Sequence, residues 1–142
     1  MLSLNVRGIR SPEKRKALLI WLQNQNVDII FLQETYSTKE VENSRKYQWK
    51  GPMYFAPGSN HSCGVLVLVR DSLDFEMKSI LTDNNGRFIL LNVTVQGTDY
   101  IMGNIYSPNK IKEQCTFFDE LQQKLDNFIT GQNQRIVYWG RF

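Results

Sequence analysis

The chain is short of the residues that most catalytic constellations and structural staples require. Its two cysteines, Cys63 and Cys115, lie far apart without metal-ligand spacing. Neither a disulfide framework nor a zinc site is expected, and both thiols are read as reduced. The single histidine, His61, sits in the loop-like stretch Ser59-Asn60-His61-Ser62 and is read as an exposed spectator rather than a general base. There is no Gly-rich phosphate loop, and no Ser or Cys nucleophile with a credible base. No apolar run approaches the roughly 20 residues of a membrane span. Arg7 and Arg10 follow the short apolar opening instead of preceding it, which is the reverse of a signal peptide. An intracellular protein with no membrane partner is the simplest expectation.

What remains is the composition of one ordinary globular domain: 142 residues, 42% apolar, enough for a single core. The net charge of +3 is too small to name a partner. Its distribution says more, because Arg7, Arg10, Lys14, Arg15 and Lys16 crowd the start, opposed only by Glu13. Such a patch can meet phosphates, or be nothing more than a solvated helix face.

Strands and helices alternate without a linker. Residues 2–6 read as a short strand. Ser11-Pro12-Glu13 then supplies an N-cap, a proline at the first helical position and an early acid. Leu18, Trp21, Leu22 and Gln25 continue at helical spacing. Residues 27–32 read as a strand, continuously apolar after Asp28 as in a strand covered on both faces, with Gln33-Glu34-Thr35 at its carboxyl end, where open sheets place chemistry. Strands over 64–69, 75–81, 87–95 and 100–106, with turns at Asp83-Asn84-Asn85-Gly86 and Gln96-Gly97-Thr98, are expected to form one antiparallel meander. A helix over 113–129 presents Phe117, Phe118, Leu121, Leu125 and Phe128 on one face, and a last strand runs over 135–138.

The candidate chemistry gathers at strand ends. Glu34 is a hard oxygen ligand on a rigid support, suited to Mg²⁺, although a lone strand-end Glu is more often a cap or a surface group. Asn5 ends the first strand and reaches the same point if the first two strands are parallel neighbours; otherwise it is a turn residue before Gly8. Tyr106 and Asn109 sit where another strand runs out, and a phenol and an amide there can hydrogen-bond a phosphate, or simply pack.

The order Asn5-Val6-Arg7-Gly8, Gln33-Glu34-Thr35, Gly64-Val65, Gly86-Arg87-Phe88, Asn104-Ile105-Tyr106-Ser107-Pro108-Asn109 and Gly140-Arg141-Phe142 resembles the endonuclease/exonuclease/phosphatase family. Within it, the pattern is most similar to the apurinic-type endonuclease domain of non-LTR retrotransposons. The resemblance implies an α/β fold, a four-layer αββα sandwich, and Mg²⁺- or Mn²⁺-assisted hydrolysis of a DNA phosphodiester. It places the metal on Glu34 with Asn5 in support, and the scissile phosphate on Tyr106 and Asn109. With DNA as the implied partner, Arg7, Arg10 and Lys14 of the basic start, and Arg87, are the candidate nucleic-acid contacts, and a nuclear location is expected if the protein acts on DNA.

The pattern departs at its end. The family's Gly-Asp-Phe-Asn supplies an Asp for the attacking water and an Asn for the phosphate, whereas this chain reads Gly140-Arg141-Phe142. A guanidinium in place of a carboxylate removes an acceptor and sets a permanent cation beside the metal position, so metal affinity should fall. The family's Asp-His pair has no counterpart here. Residues 1–142 are therefore expected to be a truncated amino-terminal portion of the domain, catalytically impaired, with an inner sheet face left wet and open to self-association. A non-catalytic nucleic-acid-binding or interaction module is the alternative. A phosphodiesterase acting on a lipid or small phosphate ester is a more distant one.

Overall fold

The computed structural model describes residues 1–45, 48–59, 61–129, 131 and 134–141. The architecture follows from strand β2 (Ile29–Gln33), whose every residue is buried. Side chains alternate across a strand. Ile29 and Phe31 therefore enter the core between two sheets, while Ile30 and Leu32 face helix α1 (Pro12–Gln23). That double coverage is why the run is continuously apolar. α1 starts where Ser11 Oγ accepts the Lys14 N–H at 3.4 Å and Pro12 occupies the first turn. It packs Leu18 and Leu22 on the sheet as expected, buries Leu19 beside them, and leaves Trp21 46% exposed.

The first sheet has the order β1-β2-β4-β3. β1 (Leu2–Asn5) runs parallel to β2, and β4 (Val65–Val69) and β3 (Met53–Ala56) are antiparallel neighbours. The second sheet has the order β5-β6-β7-β8, built from β5 (Phe75–Thr82), β6 (Phe88–Val95), β7 (Thr98–Tyr106) and β8 (Arg135–Arg141). Helix α3 (Ile111–Phe128) connects β7 to its parallel neighbour β8 and sets Leu121 and Leu125 on Phe88, Leu90, Ile101 and Ile105. The layers are thus αββα.

Two expectations need correction. The meander is β5-β6-β7 alone. β4 belongs to the other sheet, because Val65, Val67 and Val69 enter the central core while Leu66 and Leu68 join the α1 side, a pattern only a doubly covered strand satisfies. Nor is an inner sheet face left wet. Ile29, Phe31, Val65, Val67 and Val69 meet Ile89, Leu91, Val93 and Met102, none more than 2% exposed. The second sheet is supplied by β5 to β8 of this chain, so the expected route to self-association through that face is closed. Two short elements carried no sequence signal. Helix α2 (Lys39–Arg45) is seven residues of mostly polar chain, and β3 has only four residues. Cys63 is buried, Cys115 exposed, and both are free thiols.

A buried polar link ties the two sheets. Asn104 of β7 donates from Nδ2 to the carbonyls of Leu32 and Leu66, 3.0 Å each, and its Oδ1 accepts from Gln33 Nε2 at 2.8 Å. Gln33 Nε2 also lies within hydrogen-bond distance of Ser3 Oγ and the Phe31 carbonyl. Beside this link Phe31 and Trp139 stack across the sheets with centroids 5.9 Å apart. Removing one partner of a buried hydrogen bond leaves the other desolvated, at about 1–3 kcal/mol per orphaned group. Asn104→Leu is therefore expected to lose at least about 2 kcal/mol in urea unfolding. A double substitution with Gln33→Leu should cost less than the sum of the two; strict additivity would show that the residues do not share one network.

Candidate active site

Glu34 follows the last residue of β2 and takes φ +56°, a left-handed conformation that costs a non-glycine residue about 1–3 kcal/mol and persists only where neighbours impose it. The neighbours are clear. The β1 side continues past its end through Val6, Gly8 and Ile9, whose N–H groups donate to the carbonyls of Gln33, Glu34 and Thr35. On the other side the Thr35 and Tyr36 N–H groups donate to Gly64 and Cys63. The irregular backbone is thus held from both flanks. It buries the Glu34 carboxylate, whose side chain is only 8% exposed, in the rim where β1, β2, β7 and β8 end.

Four side chains meet that carboxylate. Tyr36 donates its hydroxyl to Oε2 at 2.7 Å, and Arg141 donates from Nη1 to Oε1 at 3.3 Å. The Asn5 amide and the Tyr106 hydroxyl approach the same group. Burial by itself pushes the Glu34 carboxyl upward. Hydrogen bonds from Asn5, Tyr36 and Tyr106, with the charge of Arg141, outweigh it and hold the group below the usual carboxylate range. The reciprocal effect falls on the phenols. Tyr36 is pushed up to about 12, first by its hydrogen bond to Glu34 and then by burial. Tyr106 rises because of burial and the same carboxylate.

Arg141 arrives through Gly140, whose φ is +135° and where an added Cβ would sit 1.8 Å from the Ile105 carbonyl oxygen. Only glycine lets β8 run so close to β7. The register then pairs Arg141 with Tyr106, and the Arg141 carbonyl accepts the Ser107 N–H at 2.9 Å. Arg141 and Arg87 lie over the Tyr106 ring at 5.8 and 5.3 Å from its centroid.

Asn5, Glu34, Tyr106, Arg87 and Arg141, which the sequence singled out separately, are therefore one cluster. Tyr36 completes it. The sequence offered little to find Tyr36, because its role depends on the unusual backbone at Glu34. Asn109 is exposed, three residues past Tyr106, and makes no described hydrogen bond to the cluster. The basic start divides. Arg7 and Arg10 are exposed, and the Arg7 N–H donates to Asn5 Oδ1 at 3.1 Å. Lys14 spends its ammonium on the carbonyls of Val6 and Arg7, which holds the loop after β1. Arg15 is buried on Gln48 and the Arg10 carbonyl and leaves the patch. His61 is exposed in a turn with Ser59 and Ser62. Phe142 lies outside the described residues.

The residues present do not fit a divalent cation. The one carboxylate in the cluster has its oxygens engaged by a phenol and a guanidinium, and the permanent cation sits 3.3 Å from Oε1. Among the described residues no group of three or more His, Cys, Asp or Glu side chains could hold a metal ion. A general base is also lacking in the cluster, since Glu34 is committed as an acceptor and both phenols stay protonated at neutral pH. What the arrangement can do is receive an anion. Arg141 is half-exposed, a guanidinium carries five donors, and one is spent on Glu34.

The couplings predict a titration. The native state prefers protonated Tyr36, so its contribution to stability is complete below 10.0 and is lost as pH rises toward about 12. Glu34, lowered from 4.5, contributes above that value and loses its contribution as pH falls through its folded pKa. In tyrosinate absorbance, Tyr36→Phe should remove a tyrosine that titrates at about 12. Glu34→Gln should bring Tyr36 back toward 10.0. An unchanged profile in Glu34→Gln would show that the two groups are not paired.

Residues 2–137 match the Endonuclease/Exonuclease/phosphatase family. The chain is 34% identical over 140 residues to the "Transposon TX1 uncharacterized 149 kDa protein" of Xenopus laevis, covering 99% of this chain and 11% of that protein. Among solved structures it is similar to the AP endonuclease LMAP of Leishmania major, with a TM-score of 0.69 at 15% identity over 97% of this chain and 53% of that one. It is also similar to the APE2 catalytic domain of Xenopus laevis, with a TM-score of 0.68 at 20% identity over 98% of this chain and 57% of that one. The chain thus spans a little over half the length of these solved relatives and about a tenth of the transposon protein. With the αββα layers and the family match over nearly its whole length, the chain belongs to the Endonuclease/Exonuclease/phosphatase family.

Proposed function

We propose that residues 1–142 are the amino-terminal portion of a retroelement endonuclease domain that engages DNA at the Glu34 rim and, in this form, does not hydrolyse it. The similarity to a transposon protein and to apurinic-type endonucleases supports DNA as the partner. One further solved relative, the TDP2 of D. rerio, is complexed with single-strand DNA product and shares the fold at a TM-score of 0.66 and 14% identity. Action on chromosomal DNA would place the protein in the nucleus. Arg7, whose charge reaches Tyr36, and Arg87, over the Tyr106 ring, supply cations at the rim, exposed Arg10 adds to the basic start, and charge of this kind carries sequence-independent phosphate affinity.

The observation that carries the inert part is the Arg141 to Glu34 contact of 3.3 Å. Mg²⁺ or Mn²⁺ on Glu34 and Asn5, as the resemblance implies, would have to displace a covalently tethered cation. The same contact favours the second reading, a nucleic-acid-binding module derived from the fold and retained without hydrolysis. Asn109 remains a proposed phosphate contact because it is exposed on the loop leaving β7.

The purified chain is expected to bind duplex DNA at low salt and to lose it steeply as salt rises, with a log-log slope of about −0.9 for each phosphate neutralised. It should leave supercoiled plasmid intact in Mg²⁺. Arg7→Gln and Arg87→Gln should each reduce the slope by about 1. Nicking that disappears in Glu34→Ala would contradict the inert reading, and absence of binding at low salt would contradict the DNA reading.

A further inference from the structure

Arg141 is placed as though it were a ligand of the site rather than a bystander. Its guanidinium contacts a carboxylate that is only 8% exposed, while its own side chain is 52% exposed, so one edge faces Glu34 and the rest faces solvent. Its position is not left to a loose tail. Gly140 permits the close approach of β8, the Tyr106–Arg141 register fixes the residue, and the Ser107 N–H holds its carbonyl at 2.9 Å. Arg87 holds a second guanidinium 5.3 Å from the Tyr106 ring centroid, with Nη1 3.5 Å from the Tyr106 carbonyl.

A buried carboxylate needs a compensating positive charge. In this rim a side chain supplies it, and the same side chain retains donors suited to phosphate oxygens, which arginine binds in a fork. Two guanidiniums at one phenol ring, 5.8 and 5.3 Å from its centroid, offer a cationic surface to a phosphodiester backbone that needs no metal. Arg141 has two jobs in this arrangement. It cancels the charge of Glu34, and it presents the remaining N–H groups outward.

We propose that Arg141 stands in the place of a divalent cation, neutralising Glu34, and that its remaining donors bind a DNA phosphodiester without metal, with Arg87 adding a second cation at the same Tyr106 ring. The phosphate part rests on the DNA reading above. The metal part does not.

Two measurements on the full chain separate them. In the first, Mn²⁺ is titrated calorimetrically in the absence of DNA. Wild type should show no Glu34-dependent site, Arg141→Asp should gain one, and adding Glu34→Ala should abolish it. Should Arg141→Asp fail to fold by circular dichroism, Arg141→Gln serves the same purpose, since it removes the cation and leaves Glu34 and Asn5. Mn²⁺ binding by wild type that is lost in Glu34→Ala overturns the proposal, as does the absence of any gain in a folded Arg141 variant.

In the second, a fluorescently labelled duplex oligonucleotide is titrated in EDTA and in Mg²⁺. Wild type should bind in EDTA, and Mg²⁺ should not strengthen the binding. Arg141→Gln should weaken binding about tenfold, and should lower the salt slope by about 1. Binding that requires Mg²⁺, or that is unchanged by Arg141→Gln, overturns the phosphate part. Failure of wild type to bind at all in low salt defeats the DNA reading and the phosphate part with it, while the Mn²⁺ titration still decides whether Arg141 takes the cation's place.

Discussion

The alignment of the two sheets governs everything at the rim. Asn104 reaches from β7 into the first sheet, takes the carbonyls of Leu32 and Leu66, and receives Gln33. Leu32 and Gln33 are the residues immediately before Glu34. A shift of one sheet against the other would therefore break three buried hydrogen bonds and unstack Phe31 from Trp139. Apolar packing alone tolerates such sliding, because Val, Ile and Leu surfaces are interchangeable to a degree. A buried amide is not. Asn104 and Gln33 convert a greasy contact into a register, and the register sets which strand ends share a rim.

That rim then solves an electrostatic problem. Burying Glu34 is costly, and its left-handed backbone adds strain. Two phenols, an amide and a guanidinium converge to offset the cost, and the result is a charged carboxylate whose acceptor capacity is already committed. Strain and burial of this kind cluster at functional sites. Here, however, the one counter-charge among those partners comes from Arg141, which is part of the polypeptide. A site whose counter-charge is covalently attached is suited to holding an anion and poorly suited to exchanging a metal.

Much of this was legible in the sequence where local chemistry and tertiary demand agree. The uninterrupted run through Ile29 to Leu32 announces a strand covered on both faces, and Ser11-Pro12-Glu13 marks a helix start that the capping hydrogen bond confirms. Asn5, Glu34 and Tyr106 could be named because each lies where an expected strand runs out, and Arg141 because it stands where the family's Gly-Asp-Phe-Asn has an acid. What the sequence hid depends on contacts between distant segments. β4 looks like the first strand of a meander until both its faces are seen to be buried. Arg15 looks like one more surface cation until it is found on Gln48. Tyr36 looks like a loop tyrosine until the backbone of Glu34 turns it back on the carboxylate.

The account depends most on the coupling between Glu34 and Arg141. A double-mutant cycle of Glu34→Gln and Arg141→Gln, measured by urea unfolding of all four proteins, reads that coupling directly. A favourable interaction of about 0.5 kcal/mol or more at neutral pH, vanishing when Glu34 is protonated in acid, is the predicted result. Strict additivity of the two substitutions at neutral pH would contradict it.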